Sequence, residues 1–139
     1  MSTWLGKPYQ FGCNEKTGID CRFFVWRYCA EAGIEWEYKE IGKYYPRDWL
    51  KSYKGPDPYL EFFEKNGRRV ELIDVEPGDF LLFNIISKKY VSHSGIVLDK
   101  DRFIHCPIPS VQVSRISAHK WQERLNSIFR LKVLEELPE

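Results

Sequence analysis

The sequence predicts an α+β fold in which helices precede an antiparallel sheet. Apolar side chains in residues 18–33 recur at the spacing of a helix with one buried face. From residue 69 onward, short apolar segments alternate with turn-forming residues, a pattern typical of strands. The chain has 139 residues, of which 43% are hydrophobic, which is enough for a substantial core. We therefore expect a single domain over residues 1–139.

The helix in residues 18–33 is predicted to begin at a cysteine. Asp20 is a good N-cap, and Gly33 suits the position after the last turn. Cys21 is then the first helical residue, where the helix dipole favours the thiolate. The charge of Asp20 opposes this effect, so an activated Cys21 requires a further positive partner, for which a histidine is the candidate. A buried, unreactive cysteine is the alternative, because cysteine is among the most buried residue types.

The remaining elements are predicted from apolar segments and turn residues. Residues 35–65 are rich in aromatic side chains and contain short helices at 46–50 and 58–65. The aromatic segment is expected either to form one wall of a cleft or to pad the central helix. The predicted strands are residues 70–73, 80–86, 91–98, 102–106, 111–115 and 128–133. A one-turn helix with Ser117 as its N-cap is predicted at residues 117–121.

Two histidines fall on neighbouring predicted strands. His93 lies in strand 91–98 and His105 in strand 102–106, and the three-residue turn between them suits a hairpin. Because side chains alternate along a strand, the two can share one face, directly paired or diagonal, unless the register slips by one. His93 would then take the proton of Cys21, and His105 would hold its ring in the required tautomer. A structural or surface role is the alternative, and a surface position is expected for His119.

Composition excludes several other classes of protein. The net charge is +1 and no basic block occurs, so we expect no nucleic-acid partner. No apolar run reaches the length of a membrane span. Residues 1–9 lack the apolar run of a signal peptide, which predicts a chain that is cytoplasmic at synthesis. The four cysteines show no CxxC spacing, so we expect neither a zinc site nor another cofactor.

Five short sequence blocks follow one another within residues 4–133. They are Pro8-Tyr9-Gln10-Phe11-Gly12, Gly18-Ile19-Asp20-Cys21, Glu76-Pro77-Gly78-Asp79-Phe80-Leu81-Leu82-Phe83, His93-Ser94-Gly95-Ile96-Val97-Leu98 and Phe103-Ile104-His105-Cys106. In content and order these blocks resemble the NlpC/P60 cysteine peptidases, particularly the short phage-encoded cell-wall branch. The resemblance implies a papain-like core, in which N-terminal helices pack on a five- to six-stranded antiparallel sheet.

The resemblance also implies an activity and a set of site residues. Members of this family hydrolyse peptide bonds in the stem peptides of peptidoglycan. By position, Cys21 is the nucleophile, His93 the base and His105 the third polar residue. Tyr9 and Asp20 match positions beside the nucleophile and are expected to contact the oxyanion or the substrate. The backbone N–H of Cys21 would also stabilise the oxyanion.

The chain departs from the family pattern at several positions. Arg22 and Phe23 stand where small residues usually follow the cysteine, Cys13 replaces a common glycine, and the aromatic segment 35–65 is long. These departures affect the substrate more than the chemistry. The alternatives are an amidase or acyltransferase of the same fold acting on a non-wall substrate, and a non-catalytic phage-tail or wall-binding module. Delivery to the wall would need a phage particle, cell lysis or a secretion apparatus.

Overall fold

The computed structural model describes residues 5–6, 14–15, 18–19, 55–85, 88–107 and 110–132. These residues form a six-stranded antiparallel sheet with two helices, so the predicted α+β fold is confirmed. The central helix predicted after Asp20, the helix predicted at 46–50 and most of the aromatic segment lie outside the described residues.

The elements follow one another in the predicted order. A small antiparallel pair, β1 (Asn14–Glu15) and β2 (Gly18–Ile19), precedes the helix α1 (Pro58–Asn66). The strands of the large sheet are β3 (Gly67–Arg69), β4 (Phe80–Phe83), β5 (His93–Val97), β6 (Arg102–His105), β7 (Gln112–Arg115) and β8 (Leu125–Leu131). A 3-10 helix (Leu72–Asp74) follows β3, and a one-turn helix α2 (His119–Gln122) follows β7.

The large sheet has the strand order β3-β8-β4-β5-β6-β7. Strands β4 to β7 form a meander, and β8 returns to pair with both β4 and β3. All four residues of β4 are buried, which agrees with their continuous apolar sequence, and all five residues of β5 are buried as well. These two strands therefore form the centre of the core.

Helix α1 packs on one face of the sheet. Its N-cap, Asp57, accepts a hydrogen bond from the Leu60 N–H at 3.1 Å and another from the Val91 N–H at 2.7 Å. The second bond ties the start of the helix to the chain that enters β5. The ring of Phe63 lies 5.2 Å from that of Phe80 and 5.8 Å from that of Phe129. Since Phe80 and Phe129 are cross-strand partners, α1 covers the face that carries them.

An ion pair joins the start of β4 to the neighbouring strand β8. The Asp79 carboxylate, which precedes β4, accepts hydrogen bonds from Nε and Nη2 of Arg130 in β8 at 2.8 and 2.9 Å. It also accepts one from the Glu76 N–H at 2.9 Å, across a turn in which Gly78 has a φ of 93°. The turn residues Glu76-Pro77-Gly78-Asp79 thus fix where β4 begins.

The opposite face of the sheet carries a second apolar cluster and both candidate histidines. The cluster consists of Val75, Leu81, Phe83, Val97, Phe103, Ile116, Trp121 and Ile128. His93 pairs with Phe83 across β5 and β4, so His93 shares this face. Trp121 of α2 packs on the same face, against Phe83. We call this side of the sheet the histidine face.

Two predicted elements are wrong. Residues 70–73 were expected to be a strand, but the strand is β3, at residues 67–69, and Leu72 and Ile73 are exposed in the 3-10 helix. Leu72 and Ile73 are therefore not part of the core, whereas Val70 is partly buried and packs against the core. Ser117 is not the N-cap of α2, because Ala118 occupies that position. Ser117 instead donates a hydrogen bond from its hydroxyl to Asp101 at 2.9 Å.

Candidate active site

His93 and His105 lie on adjacent strands and contact each other through their rings. In the β5–β6 register Gly95 pairs with His105, so His93 is the diagonal neighbour of His105 on the histidine face. Nε2 of His93 lies 2.7 Å from Nδ1 of His105, and the two residues are 4% and 0% exposed. The predicted placement on one face is observed, and of the two predicted arrangements, directly paired or diagonal, the structure has the diagonal one.

Gly95 makes room for this pair. A Cβ at this position would lie 2.6 Å from Cδ2 of Phe103 and 3.2 Å from Cβ of His105. Real Cβ atoms do not approach so closely, so a side chain here would displace one of the two neighbours. The absence of a side chain at Gly95 therefore allows Phe103 and His105 to lie against β5.

Ser114 extends the histidine pair to a third strand. Its Oγ lies 2.8 Å from Nε2 of His105. Ser114 pairs with Phe103 across β7 and β6, which places it on the histidine face. The sequence analysis missed this residue, although the alternation of β7 and its hairpin with β6 could have shown a polar side chain next to His105.

Trp121 covers the histidine pair. Its ring is stacked on His93 with centroids 5.6 Å apart and meets His105 edge-on at 4.7 Å. Nζ of Lys120 lies 4.9 Å from the centre of the same indole ring. The sequence analysis placed Trp121 only at the end of a short helix and gave it no role. In the structure it excludes water from one side of the hydrogen bond between the histidines.

The surroundings of the two histidines favour their neutral forms. Burial, helped by the positive charge of Lys120, lowers the pKa of His93 from 6.5 to about 3. Burial is also the main reason why the pKa of His105 is lowered, followed by the charges of His93 and Lys120. Both rings are therefore neutral at pH 7, so His93 is in the form that accepts a proton and is not the positive charge that was expected beside Cys21.

The other predicted site residues are not among those described. Cys21, Tyr9 and Asp20 lie outside the described residues, so their roles stay predictions. His119 is on the surface, as expected, with Nε2 3.4 Å from Oε2 of Glu123.

Within the described part of the chain, no group of His, Cys, Asp or Glu side chains could hold a metal ion. In the same part, no helix is both long and apolar enough to span a membrane.

The fold of the chain is similar to the folds of solved structures. A lipoprotein-like NLP/P60 family protein from Staphylococcus aureus has a TM-score of 0.65 at 22% identity, over 92% of this chain and 37% of its own. The NlpC/p60 domain of the peptidoglycan hydrolase SagA has a TM-score of 0.61 at 20% identity, over 94% and 92% of the two chains. The fold is therefore that of the NlpC/P60 proteins.

Sequence comparison gives the same family. The NlpC/P60 family model matches residues 6–130, so the chain belongs to the NlpC/P60 family, and the predicted resemblance is confirmed. The chain is 24% identical over 120 residues to the probable peptidoglycan endopeptidase LytE of Bacillus subtilis, covering 86% of this chain. It is 25% identical over 139 residues to the probable endopeptidase YafL of Escherichia coli, covering 96%. It spans 29% and 48% of the lengths of these relatives. The phage branch stays a prediction.

Proposed function

We propose that this protein is a cysteine endopeptidase or amidase that hydrolyses peptide bonds in the stem peptides of peptidoglycan. Cys21 is the nucleophile, His93 the general base and His105 the residue that orients His93. The observation that carries the proposal is the 2.7 Å contact between Nε2 of His93 and Nδ1 of His105 on one buried sheet face. This contact is the base-to-orienter arrangement that nucleophilic catalysis requires.

The contact assigns separate tasks to the two nitrogens of His93. Nε2 is bonded to His105, so the proton of the Cys21 thiol goes to Nδ1. The thiolate attacks the carbonyl carbon of the peptide bond, and His93 returns the proton to the leaving amine as the C–N bond breaks. Water then attacks the thioester, giving one proton to His93, which passes it to the departing Cys21 sulfur. Tyr9, Asp20 and the Cys21 backbone N–H are assigned to the oxyanion and the substrate.

The substrate class is supported by the names of similar proteins. LytE is named a probable peptidoglycan endopeptidase, YafL a probable endopeptidase and SagA a peptidoglycan hydrolase. A wall peptide is therefore the substrate that we assign to this chain. No cofactor is needed, because a thiol and an imidazole supply both the nucleophile and the proton transfers.

The test is to incubate the protein with purified peptidoglycan and to identify new amino groups and stem fragments by mass spectrometry. The matched controls are Cys21→Ser and His93→Ala, which remove the nucleophile and the base. We expect the unsubstituted protein to release fragments and both variants to release none above background. Binding to the wall without release would contradict the proposal in favour of a wall-binding module. If the protein neither binds nor cleaves peptidoglycan, the proposal is contradicted in favour of a different amide or thioester substrate.

A further inference from the structure

We propose that Ser114 is a positioning residue that fixes the protons of the histidine pair by accepting a hydrogen bond from Nε2–H of His105. This inference rests on the proposed function, because the position of these protons matters only if His93 is the base. Ser114 touches neither the nucleophile nor the peptide bond in this proposal. It acts on His93 through His105.

The geometry is a continuous row of three polar side chains. The row runs from His93 in β5 to His105 in β6 and Ser114 in β7, with contacts of 2.7 and 2.8 Å. His105 is fully buried, and among the described residues these two neighbours are the hydrogen-bond partners of its ring nitrogens. Ser114 is half-buried, which leaves its own hydroxyl proton access to solvent while its oxygen accepts.

Two arrangements of protons satisfy these contacts when both rings are neutral. In the first arrangement, Nε2–H of His93 donates to Nδ1 of His105. Nε2–H of His105 then donates to Oγ of Ser114. In the second arrangement, the hydroxyl of Ser114 donates to Nε2 of His105. Nδ1–H of His105 then donates to Nε2 of His93. His93 then carries its proton on Nδ1. Only the first arrangement leaves Nδ1 of His93 able to accept the thiol proton.

The hydroxyl oxygen of Ser114 stabilises the first arrangement. Without that oxygen, the first arrangement would leave a buried N–H of His105 unpaired. The second arrangement would leave only the lone pair of His105 Nε2 without a donor. Unpaired buried N–H groups are the rarer of the two in proteins, which indicates that they are more costly. Loss of the oxygen should therefore move the proton of His105 from Nε2 to Nδ1. The proton of His93 should then move to its own Nδ1, the nitrogen that has to act as the base.

The test is nitrogen NMR of the full chain labelled with ¹⁵N-histidine at pH 7.5, which distinguishes the two tautomers of each ring. In the unsubstituted protein we expect both His93 and His105 to carry their protons on Nε2. In Ser114→Ala we expect both protons to move to Nδ1, and the rate of Cys21 alkylation by iodoacetamide to fall about tenfold or more, because a wrong tautomer disables the base. Ser114→Thr keeps the hydroxyl and should restore both readouts.

The spectrum of the unsubstituted protein decides the proposal even if Ser114→Ala does not fold. A proton on Nδ1 of His105 in that spectrum would overturn it. So would a folded Ser114→Ala variant with unchanged tautomers. The expected tautomers in a protein that does not cleave peptidoglycan would leave this assignment intact and contradict the proposed function alone.

Discussion

Nε2 of His93 and Nδ1 of His105 lie 2.7 Å apart beneath the indole ring of Trp121. The hydrogen bond therefore lies in a dry environment, where a polar contact is stronger than in water and a missing partner is more costly. In the proposed mechanism the two rings have separate roles, since Nε2 of His93 is bonded to His105 and Nδ1 would take the thiol proton. This separation gives different expectations for the two histidines.

The first prediction compares His93→Ala with His105→Asn. His93→Ala removes the proposed base, so we expect kcat/KM on peptidoglycan to fall by roughly a thousandfold or more. An asparagine at position 105 can still accept a hydrogen bond from Nε2 of His93, so this variant should keep part of the activity. The measurement is the rate of fragment release for both variants, with folding checked by circular dichroism. Equal and complete loss would show that His105 does more than orient.

The second prediction concerns stability in acid. Burial holds the pKa of both histidines below the value of 6.5 that applies to the unfolded chain. Between these pH values the unfolded state therefore binds more protons than the folded state. The stability that the two neutral histidines contribute is complete above pH 6.5 and is lost as the pH falls towards about 3. Between pH 6.5 and pH 5 we expect the free energy of unfolding to fall by on the order of 2 kcal/mol for one such histidine.

Urea unfolding at several pH values measures this effect. His93→Gln should reduce the dependence on pH, because it removes one of the two buried histidines. A pH dependence that is the same in His93→Gln and in the unsubstituted protein would show that His93 does not titrate in the way its burial implies.

The fold could be predicted where the core strands are adjacent in sequence. Strand β4 is four consecutive apolar residues after a clear turn, and the hairpin of β5 and β6 has a short loop. Strand β3 could not be found, because Gly67-Arg68-Arg69 has no apolar pattern and is a strand only through its pairing with β8. Leu72 and Ile73 gave a false signal because apolar side chains also occur on the surface.

The candidate site shows the same limit. His93 and His105 could be placed together because alternation and one hairpin fix their positions. Trp121 could not, since its contact with both rings depends on the path of the chain after β7, which no sequence period encodes. Ser114 is a common type of strand residue, and only the register of the β6–β7 hairpin brings its oxygen to His105.

The third prediction concerns Lys120. Its positive charge disfavours the protonated form of both histidines, and its side chain is exposed, so a neutral replacement should not disturb the core. Lys120→Gln should therefore raise the pKa of His93, as measured by NMR titration. Lys65→Gln is the matched control, because Lys65 lies in the last turn of α1 on the opposite face of the sheet. An unchanged pKa in Lys120→Gln would show that burial alone sets the neutral state.

The last prediction concerns Gly95. A methyl group there would lie 2.6 Å from the ring of Phe103 and 3.2 Å from Cβ of His105, so one of these side chains has to move. We expect Gly95→Ala to lower the free energy of unfolding by about 1–3 kcal/mol, the usual cost of overpacking a core. If His105 moves, its contact with His93 lengthens and peptidoglycan cleavage falls more than the loss of folded protein explains. Urea unfolding and fragment release on the same sample separate the two effects. Unchanged stability would contradict the close packing around Gly95, and a stability loss with full activity per folded molecule would show that Phe103 moves and the histidine pair does not.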